Sequence, residues 1–128
     1  MSFYSEISAE KGYIIHVAIG DVNLEEAAES FHSSLKDPEF KPGMDAIWDL
    51  TSGKFGALDE EMLKHFVNSI VKAYPMRGEG QKVAVVVKDE SDVRLGKILR
   101  QLTLSVMNHE MQMFQNLNDA LVWLEKEA

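Results

Sequence analysis

Cysteine is absent from this 128-residue chain. That rules out a disulfide framework, a thiolate zinc site and a cysteine nucleophile, and it fits a reducing compartment. Long apolar runs are absent as well. The longest, such as Val83-Ala84-Val85-Val86-Val87, fall far short of the roughly 20 residues a membrane-spanning helix needs. The opening MSFYSEISAEKGYIIHVAIG has no basic segment followed by an apolar one, so no secretory signal is read from it. Positive charge is scarce: 13 basic residues stand against 21 acidic ones, for a net charge of −8. Such a chain repels phosphate backbones and anionic membrane surfaces unless it gathers its basic groups. The expectation is a cytoplasmic protein with no nucleic-acid partner and no integral membrane segment. The length allows one domain, 1–128, large enough to bury a core without covalent staples.

What is present is a regular alternation of strand-like and helix-like stretches. Phe3 to Ser8 and Tyr13 to Ile19 are β-rich and are separated by a turn containing Gly12, which predicts a hairpin. Both faces of the second strand are largely apolar, so it is expected to be covered on both sides. Asn23 caps a helix with Leu24, Ala28, Phe31 and Leu35 on one stripe, and Pro38, Pro42 and Gly43 then form a loop. Ala46 to Leu50 reads as a short strand. Asp59 caps a helix whose apolar face is Met62, Leu63, Phe66, Val67, Ile70 and Tyr74, ended by Pro75. The apolar run between Lys82 and Lys88 has the pattern of a central parallel strand. Ser91 opens a helix reaching to about Asn108, Glu110 to Phe114 suggests an edge strand, and Asn116 caps a final helix with Leu117, Leu121 and Leu124 inside. The order is β-β-α-β-α-β-α-β-α, an α/β domain whose helical crossovers imply a mixed, mainly parallel sheet with an N-terminal hairpin.

Several pieces occur in a telling order. They are Ile19-Gly20 before a helix, Asp37-Pro38-Glu39-Phe40-Lys41-Pro42-Gly43, a strand ending Trp48-Asp49-Leu50, the strand Lys82-Val83-Ala84-Val85-Val86, and Phe114 followed by Ala120-Leu121 and Trp123-Leu124. Together they resemble the STAS-type fold of anti-sigma-factor antagonists, and more specifically the SpoIIAA-like family, also described as STAS/SEC14-like. The resemblance runs almost the full length. It implies the fold and a function by binding, and it brings no catalytic residue, cofactor or metal ligand with it.

In STAS antagonists a phosphorylated serine sits where a strand meets a helix, and Asp49-Leu50-Thr51-Ser52-Gly53 occupies a similar place here. An anion there would face the positive end of a helix. Two departures weaken the parallel. Leu50 interrupts the motif, and five residues, Lys54 to Leu58, separate Gly53 from the cap Asp59. Asp59, Glu60 and Glu61 then already supply negative charge that would repel a phosphate. The ordinary use of such residues is local: Thr51 and Ser52 bond to turn backbone while Gly53 and Gly56 allow the corner. Asp49 could act as a base at the end of its strand, but the sequence offers no acid, nucleophile or oxyanion partner. His16, His32, His65 and His109 form no short metal-ligand spacing. No nucleophile elbow or phosphate-binding loop is present. The chain is therefore read as non-enzymatic.

The helix after Ser91 carries two apolar stripes on a helical wheel. Leu95, Ile98, Leu99, Leu102 and Val106 form the expected core stripe, and Val93, Leu104 and Met107 fall opposite, flanked by Lys97 and Arg100. An exposed second stripe predicts a contact surface, with a homodimer first and another protein partner next. Met107, Met111 and Met113 could instead line an adaptable apolar pocket. The leading expectation is thus a regulatory or protein-interaction domain. The alternative is a carrier of a small apolar or lipid-like ligand, which requires a cavity of a few hundred Å³ near the strand C-terminal ends. A phospho-regulated switch at Thr51 or Ser52 comes third.

Overall fold

Period-two alternation of apolar residues, broken by capped helical stretches, produces the element order expected from the sequence. The computed structural model describes residues 3–54, 58–104, 106–107 and 109–126. The elements are β1 (Phe3–Ser8), β2 (Tyr13–Asp21), α1 (Leu24–Leu35), β3 (Asp45–Lys54), α2 (Glu60–Ile70), a 3-10 turn (Tyr74–Arg77), β4 (Gln81–Val86), α3 (Glu90–Leu104), β5 (His109–Phe114) and α4 (Leu117–Glu125). The five strands lie in the order β1-β2-β3-β4-β5. β1 runs antiparallel to β2, and every later pair is parallel.

Three of the helix starts use the caps read from the sequence. Asn23 Oδ1 accepts from the backbone N–H groups of Glu25 and Glu26 at 2.9 and 3.1 Å. Asp59 Oδ1 accepts from Met62 N at 2.9 Å, and Asn116 Oδ1 from Asp119 N at 2.8 Å. Each satisfies a donor that the first helical turn leaves unpaired, worth about 1 kcal/mol.

The sheet's two faces are covered unequally. One face packs under α1, α2 and α3 and builds the main core, with Phe3, Ile14, Ala46, Val83, Val85 and Met111 from the strands meeting Phe31, Phe66 and Ile70 from the helices. The other face carries Ile47, Ala84 and Val86 against Ala120 of α4. That helix packs chiefly across β3, β4 and β5. The second face of β2 is therefore covered only in part: Tyr13 and Ile15 pack partly against that cluster, and the cover ends before Ile19. The inward residues Ile14, His16 and Ala18 are buried, whereas Ile19, on the second face, is 55% exposed.

Two further boundaries differ from the sequence reading. β3 does not stop at Leu50 but continues through Gly53 to Lys54, because Ser52 and Gly53 pair with Ile19 and Gly20 of β2. α3 starts at Glu90, with Asp92 N and Val93 N donating to the Asp89 carbonyl, so Ser91 lies inside the first turn. It ends at Leu104. Gly56 and Asn108 lie outside the described residues.

Candidate functional site

Between the sheet and α1–α3 the core does not close completely. A cavity of about 80 Å³ remains, walled by Ala46, Trp48, Val83 and Val85 from the sheet and by Phe31, Phe66, Ile70 and Leu99 from the helices. Met107 and Met111 belong to the same wall, and Met113 does not line it. The wall is interrupted by His16, Tyr74, Arg77, Thr103 and His109. Polar groups held this deep must find partners, since an unmade hydrogen bond costs more there than a made one returns.

Most of them do. Thr103 Oγ1 donates to the Arg100 carbonyl at 3.0 Å, so it accepts from His109 Nε2 at 3.1 Å. That places the His109 proton on Nε2 and leaves Nδ1 as the acceptor for the Tyr74 hydroxyl. Tyr74 in turn accepts from Gln81 Nε2 at 3.2 Å. The result is a directional chain, Gln81 to Tyr74 to His109 to Thr103, that works only with a neutral imidazole. Burial, reinforced by the charge of Arg77, pushes His109 down to about 4. His16 sits at the far side, stacked on Trp48 at 3.9 Å and bonded to Ser5 and Ser30 through Nδ1 at 2.7 and 2.9 Å. Burial, and again Arg77, lowers it to about 3. Burial also pushes the Tyr74 hydroxyl up, opposed by the Gln81 hydrogen bond and by Arg77.

Gln81 Oε1 is left without a partner, and the other exception is Arg77. It is 3% exposed, and Nη2 donates to the Met44 carbonyl at 2.6 Å. Its Nη1 has no partner. Among the described residues no carboxylate stands within ion-pair distance of it. The Phe40 ring lies 5.5 Å from the guanidinium carbon. Burial lowers its pKa, while Tyr74 and Asp45 act in the opposite direction. An arginine nevertheless keeps its proton in a protein. The cavity therefore borders a buried positive charge that Asp45 answers only from beyond ion-pair distance.

No family model matches the sequence, and no curated protein matches it. Among solved structures, the chain is similar to the crystal structure of an uncharacterised DUF3478-family protein with a SpoIIAA-like fold from Shewanella loihica PV-4. The two share 19% identity and a TM-score of 0.58, with 95% of this chain and 91% of that chain covered. The chain has a SpoIIAA-like fold.

Within that SpoIIAA-like sheet, the residues singled out from the sequence are dispersed. Asp49 Oδ1 accepts both the backbone N–H and the hydroxyl of Thr51, at 3.1 and 2.7 Å. These bonds sit where the β2–β3 register slips, Val17 facing Asp49 but Ile19 facing Ser52. The extra residue on β3 makes a bulge, and the Asp49–Thr51 pair holds it. Alternation along β3 points Trp48 and Leu50 to the cavity face and Asp49 away from it, so Asp49 does not line the cavity. Ser52 is exposed. Gly53 is needed for space and not for a turn: a Cβ there would come within 2.9 Å of Val22 Cγ2 and 3.3 Å of Ala18 Cβ.

The α3 stripe does not form one surface. Leu104 is 47% exposed, but Met107 is 7% exposed and lies in the main core. Val93 packs partly against that core. Lys97 and Arg100 are exposed, and Arg100 Nε donates to the Met111 carbonyl at 2.9 Å. The helix turns Gly96 and Thr103 inward in place of Leu95 and Ile98, since a close helix-to-sheet approach selects small residues. A Cβ on Gly96 would meet the Met113 side chain.

Sequence reading missed Tyr74, Arg77, Gln81, Thr103 and His109 as a group. Two of them carried a signal. His109 is in phase with Met111 and Met113, and Gln81 with Val83 and Val85, which puts both on the inward face at period two. Arg77, between Pro75 and Gly78, looks like any exposed turn residue.

Proposed function

We propose that this domain binds a small, largely apolar ligand in the space between the sheet and α1, α2 and α3. The observation that carries this reading is the cavity itself, apolar over most of its wall and bordered by a buried side chain with an unmade hydrogen bond. Its size sets the ligand class. About 80 Å³ is roughly half the ~150 Å³ that accepts benzene in an engineered protein cavity, and well below the few hundred Å³ of a drug-sized or lipid site. The polar end also lies at the first residues of β4 and β5, Gln81 and His109, and not at the strand C-terminal ends. A short-chain molecule fits this description, and a whole lipid does not.

The test is an NMR titration with 1-butanol and butyrate as probes, following the methyl groups of Val83, Val85, Leu99, Met107 and Met111. Selective saturable shifts at those methyls are expected. If they stay still while solvent-facing methyls respond equally or not at all, the reading fails.

A second reading keeps the domain as a homodimer or as a docking module for another protein. Leu104 and Val106, 47% and 51% exposed at the end of α3, favour it. It is the weaker one, because Met107 and Val93 turn inward and leave the surface small. The Asp49–Gly53 corner is read as structural, since Thr51 already donates its hydroxyl to Asp49, and a phosphate on it would stand beside that carboxylate. No helix among the described residues is long and apolar enough to cross a membrane.

A further inference from the structure

We propose that the groove between α1 and α2 docks a short, basic, amphipathic helix of another protein. This goes beyond the cavity reading and does not depend on it.

The groove measures about 1160 Å³. Its floor is apolar, from Val22, Leu24, Ala28, Leu58, Met62 and Phe66. Met62 lies on the apolar stripe of α2 yet is 44% exposed, because the gap on this side leaves it uncovered. Val22, Leu24 and Phe66 also wall the internal cavity, so these three face unfilled space on both sides. The contacts that a close-packed interior provides are missing there. A side chain laid into the groove would supply them.

Charge selects the occupant. Asp21, Glu25, Glu29 and Glu61 stand around this floor, and among the described residues none of the four is in an ion pair. Lys64, on the same rim, turns to Glu60 at 3.4 Å. Acidic residues in a first helical turn are ordinary, since they answer the helix dipole, and Glu25 and Glu61 are placed so. Asp21 and Glu29 are not. One ends β2 and the other lies a turn further along α1, yet both converge on the same trough. A second copy of this chain, at net −8, meets the rim with like charge, as does a nucleic acid or an anionic lipid surface. A helix with an apolar row flanked by lysine or arginine answers floor and rim together. The trough between two helices suits a third helix lying along it. From Glu61 to Ser69, α2 borders it for roughly 12 Å, which matches two to three turns of a partner helix.

Fluorescence anisotropy tests this with a labelled peptide of leucine and lysine, about three turns long, its leucines at helical spacing. One companion peptide carries alanine for leucine, and another glutamate for lysine. The leucine–lysine peptide should bind about tenfold or more tighter than either companion. Glu29→Lys with Glu61→Lys reverses two exposed charges on the rim and should weaken that peptide about tenfold. Met62→Gln removes an apolar seat and should weaken it as well. Glu10→Lys with Glu110→Lys changes the net charge equally at exposed positions that do not line the groove. That pair should leave affinity within about twofold. All five substitutions are at exposed positions, where the fold tolerates change, and circular dichroism checks that it does. Equal losses from the two charge-reversed pairs would mean the peptide follows net charge, and would overturn the site. Equal binding of the alanine peptide would overturn the apolar seat and with it the helical partner. Binding of no peptide would also overturn the proposal. The cavity reading stands or falls on its own probes in every case.

Discussion

Burying two imidazoles beside one guanidinium has a consequence at the scale of single residues. His16 and His109 sit at about 3 and about 4, below the 6.5 of an unfolded histidine. The unfolded chain therefore takes up protons first as pH falls, and folding stability must fall with it. The contribution is fully present above pH 6.5 and is lost progressively below it, until each folded-state value is reached. At pH 5 the loss is up to about 2 kcal/mol for each histidine. Urea unfolding at pH 7.5 and pH 5 should show a clear drop in midpoint, and His16→Asn should shrink that drop by up to half. A midpoint that stays flat over this range would mean the imidazoles are not held neutral.

At the scale of elements, Arg77 owes its position to a contact between two turns. Gly78, at φ +97°, ends the 3-10 turn and lets it lie against the 41–44 loop. There Gly43 N donates to the Arg77 carbonyl at 2.5 Å, and Arg77 Nη2 reaches the Met44 carbonyl. A Cβ on Gly78 would lie 2.9 Å from the Pro42 carbonyl carbon and press on Gly43 N. Backbone cannot yield there as a flexible side chain would. Gly78→Ala should therefore cost about 2 kcal/mol or more in urea unfolding, and a neutral result would mean the two turns are free to part. This contact also shows which parts of the fold were legible in the sequence. Caps and strand identities are local, and Asn23, Asp59 and Asn116 announce themselves. The length of β3 depends on pairing with β2 through a bulge, and the rotation of α3 depends on how closely it approaches Met113. Both are set across the sheet, beyond the reach of any local pattern. Arg77 was the least legible of all, because a turn arginine folded inward has the same sequence neighbourhood as one in water.

For the whole molecule, the unequal sheet faces and the small cavity favour the proposed binding inside over binding outside. A stable protein interface buries roughly 800 Å² on each partner, and it is anchored by large side chains at its centre. Leu104 and Val106 are exposed at the end of α3, but Met107 is not available beside them. Two aliphatic side chains with exposed Lys97 and Arg100 nearby make a rim without a centre. The expected solution state is a single chain of 14.4 kDa, unchanged by Leu104→Glu, because a new charge on an exposed position costs little. Light scattering behind size exclusion measures this directly. A species of twice that mass, lost in a folded Leu104→Glu variant, would restore the interaction reading and its α3 surface. It would also place the dimer contact on the helix that supplies Thr103 to the buried chain of hydrogen bonds, so butyrate affinity should then depend on protein concentration.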